Sequence, residues 1–250
     1  MIDMHTHLLP AIDDGAKDAQ TAAELLRLER EQGVKELVFT PHFYGDVTTE
    51  TFLKNRQNAY EKIREFVPQG MRVRLGAEVY FSGLRLAQFG QFDSLKIDGT
   101  KCVMLELPYI TVWPKSILDN LERWINGTGY TPIIAHVDRY IEVLKEPMLL
   151  NRFLELGCLL QLNTSAFVNR RTRSFALAML KNGYVQSLGT DTHDTQNRAP
   201  TYLQAKAVVE KAGLLTEWEQ AQTTMERILE NQSIAVRVKK TIKKCLGKYR

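Results

Sequence analysis

Residues 1–18 read MIDMHTHLLPAIDDGAKD, a short apolar run that ends in two histidines and is followed by a pair of aspartates. Because successive side chains of a β-strand point to opposite faces, His5 and His7 would project from the same side of a strand. The stretch therefore predicts a first strand at residues 2–4 with two imidazoles on one face at its carboxyl end. Such a pair is a reasonable start for a metal site.

Downstream of this stretch, apolar runs alternate with amphipathic helical patterns. The predicted strands comprise residues 2–4, 36–40, 72–79, 102–107, 131–135, 157–162 and 184–188. The predicted helices comprise residues 18–31, 49–66, 115–126, 147–156, 172–182 and 200–212. Repeated strand–helix units favour a parallel sheet, and seven of them without a linker rich in Gly, Pro or Ser predict one closed barrel. Two further helices, at residues 216–222 and 224–231, are expected to be appended to it.

The charge of the chain is unevenly distributed. Residues 237–250 contain seven Lys or Arg and no acid. Since the whole chain carries +4, residues 1–236, which we take as one domain, carry −3. The basic tail is interpreted either as a solvated helix end or as a segment that docks electrostatically on an anionic membrane or an acidic partner.

The cysteines and the N-terminus indicate the cytoplasm. Three cysteines do not make a disulfide framework, and Cys102 and Cys158 lie in apolar runs. The N-terminus shows no secretory signal, and no apolar run approaches the roughly 18 residues that a membrane span requires.

All five histidines follow predicted strands. Besides His5 and His7, these are His42 in LVFTPH, His136 in PIIAH and His193 in LGTDTH. In an α/β barrel the carboxyl ends of the strands converge on the catalytic face. One histidine in such a place is usually a loop or core residue, but five of five are hard to obtain by chance.

Carboxylates occur at the same strand ends. Glu78 and Glu106 end the third and fourth strands, Asp191 opens GTDTHD, and Asp14 follows the first strand. A glutamate among apolar residues needs a partner, because burial of a lone carboxylate is costly. A metal cation is the simplest partner, and an arginine is the alternative. Imidazole mixed with carboxylate suits Mn, Fe, Zn or Co without selecting among them.

Several other catalytic chemistries lack their motifs. Cysteine phosphatases need an arginine six residues after the cysteine, whereas Pro108 and Thr164 follow Cys102 and Cys158 at that spacing. Neither the GxSxG elbow nor the GxxxxGK[ST] phosphate loop occurs. The remaining candidate nucleophile is metal-bound hydroxide.

These motifs resemble the polymerase-and-histidinol-phosphatase family, and within it the metal-dependent tyrosine-protein phosphatases of bacterial capsule and exopolysaccharide loci. Residues 1–18 and the later segments TPHF, GAEVYF, ELP, AHVDRY and GTDTHD carry the resemblance, which covers about residues 1–200. It implies a distorted (βα)7 barrel with up to three divalent ions, usually manganese.

The resemblance also implies a role for individual residues. The first ion would be held by His5, His7, Glu78 and Asp191, the second by Glu78, Glu106 and His136, and the third by Asp14, His42 and His193. Arg139 would bind the substrate phosphate, with Arg198 as a second arginine. The alternative for Arg139 is a surface ion pair with Asp138 or Glu142.

By the same resemblance, the substrate would be phosphotyrosine on a bacterial tyrosine autokinase that regulates exopolysaccharide synthesis, and no nucleic-acid partner is expected. Five aromatic residues follow the candidate ligands and either line a pocket for the phenyl ring or pack at the barrel rim: Phe43, Tyr44, Tyr80, Phe81 and Tyr109. Asp194 is a candidate for the acid that protonates the leaving group.

Three other functions are alternatives to this one. A small-molecule phosphatase of the same family, acting for example on histidinol phosphate, would use the same ligands. An amidohydrolase or deacetylase usually uses a carboxylated lysine, and no lysine lies at a predicted strand end. A non-catalytic scaffold would close its metal sites with protein ligands, whereas this ligand set leaves positions for water.

Overall fold

The computed structural model describes residues 1–81, 92–245 and 248–249. Its strands are β1 (Ile2–Thr6), β2 (Glu36–Phe39), β3 (His42–Phe43), β4 (Arg72–Leu75), β5 (Glu78–Tyr80), β6 (Cys102–Glu106), β7 (Thr131–Ile134), β8 (Leu159–Asn163), β9 (Ser187–Gly189), β10 (Lys244–Cys245) and β11 (Lys248–Tyr249). Its α-helices are α1 (Ala19–Glu31), α2 (Thr49–Glu61), α3 (Ser116–Thr128), α4 (Ile141–Lys145), α5 (Leu149–Glu155), α6 (Ser165–Val168), α7 (Arg173–Lys181), α8 (Tyr202–Lys211) and α9 (Leu215–Leu229).

Strands β1 to β9 pair in parallel, in the orders β1-β2-β4 and β3-β5-β6-β7-β8-β9. Only two residues separate β2 from β3, and only two separate β4 from β5. The chain therefore passes from one sheet into the other at both places. The segment after β9 returns to β1, where the Asp191 N–H donates to the His5 carbonyl at 2.8 Å and the His7 N–H donates to the Thr192 carbonyl at 3.0 Å. The predicted parallel α/β architecture is therefore confirmed.

The predicted strand at residues 72–79 is divided in the structure. It is interrupted at Gly76 and Ala77, where the Gly76 carbonyl accepts a hydrogen bond from the Arg56 guanidinium at 2.7 Å while the Gly76 N–H still donates to the Phe39 carbonyl at 2.8 Å. The second half, β5, pairs with the short strand β3, which the sequence did not predict. The break leaves Glu78 at the start of a strand rather than at the end of one.

The prediction of two appended C-terminal helices is wrong. A single helix, α9, spans both segments, because their apolar residues continue one buried face that includes Trp218, Met225 and Ile228. The Gln222 side chain accepts a hydrogen bond from the Ile2 N–H at 2.9 Å, which ties this helix to the first strand. Helix α9 is thus part of the core.

The basic tail is not a helix end either. Residues 232–243 have no regular secondary structure, and β10 and β11 then pair as an antiparallel hairpin. The tail is fixed by the buried side chain of Ile242, by a hydrogen bond from the Lys239 N–H to the Asn182 carbonyl at 3.0 Å, and by one from the Tyr249 hydroxyl to the Leu144 carbonyl at 2.7 Å. Residues 246, 247 and 250 of the predicted tail lie outside the described residues. In the described part of the chain, no helix has the length and apolar character that crossing a membrane requires.

Candidate metal centre

All nine predicted metal ligands lie together at the carboxyl-terminal edge of the parallel sheet. β1 carries His5 and leads into His7, β3 begins at His42, and β5 begins at Glu78. The remaining five ligands lie on the loop after β1, at the end of β6 and on the loops after β7 and β9: Asp14, Glu106, His136, Asp191 and His193. The side-chain donors fall into four overlapping clusters, in each of which the donor atoms lie within 4.8 Å of one another.

One cluster joins His5, His7 and Asp191. The two Nε2 atoms of the histidines are 3.0 Å apart and lie 3.7 and 3.6 Å from Oδ1 of Asp191. Oε2 of Glu78 lies 3.2 Å from Nε2 of His5 and 3.3 Å from Nε2 of His7. The four ligands expected for the first ion therefore surround a common point.

Glu78 also belongs to the two clusters on the other side. Its Oε1 lies 2.7 Å from Nε2 of His136, which is 3.7 Å from Oε1 of Glu106. Its Oε2 lies 3.1 Å from Nδ1 of His42. The two carboxylate oxygens of Glu78 thus face imidazoles on both sides of the centre.

The fourth cluster contains Asp14, His42 and His193, together with His7, which was not expected in this set. Oδ1 of Asp14 lies 3.4 Å from Nε2 of His42 and 3.3 Å from Nε2 of His193. The Asp14 side chain is 64% exposed, whereas the imidazoles are almost fully covered. This cluster is therefore the one that opens to solvent.

Unsatisfied buried atoms at the centre fit a cation. Oε2 of Glu78, Nδ1 of His42 and Nε2 of His193 are buried and lie close to other ligand atoms, but none of these approaches has the geometry of a hydrogen bond to a residue that the structure describes. Buried polar atoms are normally hydrogen-bonded, so three such atoms at one place point to a missing partner. Burial, with His7 nearby, lowers the pKa of His193 to about 3, and burial also lowers the pKa of His42. Both imidazoles thus keep a lone pair free for a metal ion.

The carboxylates of the centre have unequal proton affinities. Burial opposes ionisation of Glu78, but His5 and His136 outweigh it and hold its pKa well below the ordinary value. Burial and the neighbouring Glu78 raise the pKa of Glu106 to about 7. Without a cation, Glu106 therefore retains its proton more readily than Glu78, as expected for like charges in a shared site.

The backbone is also strained at this edge. His136 has φ of 29° and Asp191 has φ of 55°, in the left-handed region that residues other than glycine rarely adopt. Residues in such conformations cluster at functional sites, where the surrounding structure holds them. These two strained positions both carry candidate ligands.

Three polar residues that the sequence analysis did not identify orient the ligands. Oδ2 of Asp13 lies 2.7 Å from Nδ1 of His7 and accepts a hydrogen bond from the His42 N–H. Oε1 of Gln161 lies 3.3 Å from Nδ1 of His5, and Nδ2 of Asn163 donates to Oδ2 of Asp191 at 3.0 Å. The doublet of aspartates, and two amides at alternate positions of the apolar strand LLQLN, were the sequence signals for them.

The two predicted phosphate-binding arginines lie at the same edge. Nη1 of Arg139 donates to Oδ2 of Asp191 at 2.9 Å, and Nη2 of Arg198 donates to Oδ1 of Asp191 at 2.7 Å. A cavity of about 300 Å³ lies between them. The alternative for Arg139, an ion pair with Asp138 or Glu142, is not what the structure shows, because Arg139 pairs with Asp191 and the Asp138 carboxylate accepts a hydrogen bond from the Asn163 N–H.

The five aromatic residues separate into two groups. Phe43 and Phe81 are buried in the core and cannot line a pocket for a substrate ring. Tyr44, Tyr80 and Tyr109 lie at the rim. The Tyr44 ring is stacked on His42 at a centroid distance of 4.9 Å, and the Tyr109 ring is stacked on His136 at 5.6 Å.

Asp194 has a structural role in its loop. Its Oδ1 accepts hydrogen bonds from the N–H groups of Gln196 at 2.7 Å, Asn197 at 2.6 Å and Arg198 at 3.2 Å. A carboxylate held by three N–H donors is stabilised in its ionised form and is a poor proton donor. The interpretation of Asp194 as the leaving-group acid is not supported by this geometry.

Comparison with known proteins identifies relatives with the same motifs. The sequence profile of the family described as "Capsular polysaccharide synthesis, CpsB/CapC" matches residues 1–231. The tyrosine-protein phosphatase YwqE of Bacillus subtilis is 28% identical over 247 residues, which cover 94% of this chain and 93% of that protein. The tyrosine-protein phosphatase CpsB of Streptococcus pneumoniae is 26% identical over 230 residues, which cover 84% of this chain and 90% of that protein.

A solved structure shares the fold. It comes from a crystallographic study of YwqE from Bacillus subtilis and CpsB from Streptococcus pneumoniae, described there as unique metal-dependent tyrosine phosphatases. The TM-score is 0.80 at 24% identity, and the alignment covers 97% of this chain and 100% of that chain. The profile match extends over most of the sequence, so the family expected from the motifs is confirmed. This chain belongs to the CpsB/CapC family of capsular polysaccharide synthesis proteins.

Proposed function

We propose that this protein is a metal-dependent tyrosine-protein phosphatase. The observation that carries the proposal is the convergence of five imidazoles and four carboxylates into overlapping clusters that share Glu78 and His7. The curated relatives are named as tyrosine-protein phosphatases, and they match this chain over most of its length.

The proposed metal sites use the ligand sets that the resemblance implies. We infer two or three divalent ions, with manganese as the ion proposed. One would be held by His5, His7, Glu78 and Asp191, a second by Glu78, Glu106 and His136, and a third by Asp14, His42 and His193. The clusters support these sets in part, because they group His5 with Glu78 and His136, His42 with Glu78 and Glu106, and His7 with the third set. We also infer that the strands β1 to β9 form a distorted barrel of seven βα units within a single domain of residues 1–236.

Divalent ions at such a centre polarise a phosphoryl group and lower the pKa of a bound water. The protein contributes the arginines. Arg139 and Arg198 would exchange Asp191 for two phosphate oxygens, for which the planar guanidinium is well shaped. Asn163 and Gln161 keep Asp191 and His5 in place while the arginines bind phosphate.

The phenyl ring of the substrate would lie among three rim tyrosines, Tyr44, Tyr80 and Tyr109. A phenolate is a stable leaving group, so no residue is assigned as its acid.

The proposed substrate is phosphotyrosine in a flexible segment of a bacterial tyrosine autokinase, in the cytoplasm, where its removal would regulate capsule or exopolysaccharide synthesis. The exposure of the rim supports access by a polypeptide, since Arg139 is 40% exposed and Arg198 33% exposed. Exposed cations of the tail, among them Arg237, Lys240 and Lys243, would favour contact with a membrane or a membrane-bound kinase.

The proposal is tested by hydrolysis of a phosphotyrosyl peptide with and without a chelator. We expect the wild type to lose activity with the chelator and to regain it with manganese. His136→Ala should be inactive both with the chelator and with added manganese, and its circular dichroism should match that of the wild type. The exposed Glu155→Gln serves as the matched control and should behave as wild type. Activity that persists after complete removal of metal would refute a metal mechanism.

Substrate choice separates the proposal from its alternatives. The ratio of kcat/KM for a phosphotyrosyl peptide to that for histidinol phosphate should exceed one. A preference for histidinol phosphate would make the protein a small-molecule phosphatase. Inactivity on every phosphoester with manganese supplied would favour a structural role for the metals.

A further inference from the structure

One apolar surface borders the metal centre, and Tyr109 alone among its residues enters the function proposed above. It is formed by Tyr109, Ile110 and Val112 of the loop after β6 and by Ile141 at the start of α4, and we call it the apolar ledge. Val112 is 69% exposed, Tyr109 and Ile141 are each 48% exposed, and Ile110 is 44% exposed. Large exposed apolar patches commonly mark interaction sites.

The ledge is supported by the buried Tyr140 and the partly buried Trp113. The Tyr140 hydroxyl accepts a hydrogen bond from the Leu107 N–H at 2.8 Å, and its ring lies 5.5 Å from that of Tyr109. The Trp113 indole donates to the Pro108 carbonyl at 2.9 Å, and its ring lies 5.2 Å from that of Tyr140. The loop also has two prolines, Pro108 and Pro114, which restrict its backbone. The apolar side chains are therefore presented to solvent on a fixed support, so little conformational entropy is lost when they are covered.

The ledge is continuous with the phosphate site. Glu106 immediately precedes its loop, and the Arg139 guanidinium lies 5.2 Å above the Tyr109 ring. Ile141 directly follows Tyr140 and Val112 directly precedes Trp113, and the Tyr140 ring lies 5.5 Å from that of Tyr109 and 5.2 Å from that of Trp113. Two or three residues of an extended peptide cover roughly 7–11 Å, so side chains at those positions of a bound peptide reach past Tyr109.

Resting on the proposed function, we propose that the apolar ledge binds an aliphatic or aromatic side chain located two or three residues from the phosphotyrosine of the substrate. The Leu107–Lys115 loop contains no acidic residue and one cation, Lys115, so neither attraction nor repulsion of charges dominates there. Burial of one such side chain separates good from poor substrates by about tenfold or more. The ledge gives the enzyme a sequence preference around the phosphotyrosine.

The experiment compares two peptides with the same central phosphotyrosine. One has isoleucine at the second and third positions on both sides, and the other has glycine there. We expect wild-type kcat/KM to be about tenfold higher for the isoleucine peptide. Val112→Asp and Ile141→Asp should abolish that preference and leave turnover of p-nitrophenyl phosphate unchanged, because this small probe does not reach the ledge. Leu203→Asp, at a residue on α8 that is 50% exposed, is the matched control and should keep the preference.

The outcomes distinguish failure of the ledge proposal from failure of the proposed phosphatase function. Equal kcat/KM for the two peptides in the wild type would overturn the proposal for the ledge but not the proposed phosphatase function. No turnover of either peptide or of free phosphotyrosine, with manganese present, would refute the proposed function itself. A wild-type dimer that Val112→Asp converts to a monomer in light scattering would show that a second copy covers the ledge, and would also overturn the proposal.

Discussion

Nδ1 of His7 lies 2.7 Å from Oδ2 of Asp13, while Nε2 of the same imidazole faces Glu78 at 3.3 Å. The carboxylate thereby fixes which nitrogen of His7 is presented to the metal centre. The same Asp13 accepts hydrogen bonds from the N–H groups of His42 and Gly15, so one side chain connects the first strand, the loop after it and β3.

Replacement of this carboxylate should weaken metal binding. For Asp13→Asn we expect a loss of metal affinity on the order of 10- to 100-fold, which is the usual effect of removing a residue that orients a ligand. The measurement is a titration of manganese into the metal-free protein. Asp46→Asn, which changes an exposed aspartate in a nearby loop, should bind as wild type. An unchanged affinity of Asp13→Asn would mean that the strand alone orients His7.

Metal binding should release protons, and its affinity should rise with pH. Burial opposes the charged form of His7, but Asp13 and Glu78 outweigh it and raise the pKa from its ordinary 6.5 to about 10. At pH 7 the imidazole is therefore protonated in the metal-free protein and must lose its proton to bind a cation. Calorimetric titrations in buffers of different ionisation enthalpy measure this release. An enthalpy that is independent of the buffer would contradict the expectation.

The same pKa gives a stability prediction for the metal-free protein. Because the folded pKa of His7 lies above the unfolded value, its contribution to stability is complete below about pH 6.5 and is lost as pH rises through about 10. We expect the free energy of unfolding of metal-free protein, measured with urea, to fall between these two pH values. Manganese should reduce the pH dependence of the free energy of unfolding. Constant stability across this range without metal would show that His7 is not charged.

The two arginines should act on phosphate as a pair. Arg139→Lys and Arg198→Lys should each lower kcat/KM by on the order of 100-fold, because an ammonium group cannot make the two parallel hydrogen bonds of a guanidinium. Inhibition by inorganic phosphate should weaken in parallel. Arg152→Lys, which changes an exposed arginine paired with Glu155, is the control. If phosphate inhibits the variants as strongly as wild type, the arginines serve only to neutralise Asp191.

Glycine at position 15 should be irreplaceable. A Cβ atom added there would lie 2.0 Å from the His7 carbonyl oxygen, so Gly15→Ala has to displace the loop that carries Asp13 and Asp14. We expect a loss of about 1–3 kcal/mol in the free energy of unfolding, together with weaker metal binding. Gly127→Ala, in α3 with open space around the added Cβ, should instead gain up to about 1 kcal/mol. Urea unfolding of both variants is the measurement, and equal stabilities would contradict this view of the loop.

The alternation of strands and helices and the family of the chain could be predicted without the structure. The nine candidate ligands could be predicted as well, because strand periodicity places His5 and His7 on one face and parallel strands bring their carboxyl ends to one edge. These features depend on local pattern, which a sequence displays directly. The structure brings together all nine predicted donors without an exception.

Other features depended on contacts between residues far apart in the chain. The two halves of the strand predicted at residues 72–79 pair with different strands, β2 and β3, and the continuous helix α9 has a buried face that packs against β1 and β9. The placement of Gln161 beside His5, and of both arginines on Asp191, likewise joins residues from separate strands and loops. Only tertiary structure could decide these, because the hydrogen bonds and buried surfaces involved exist only once the chain has folded.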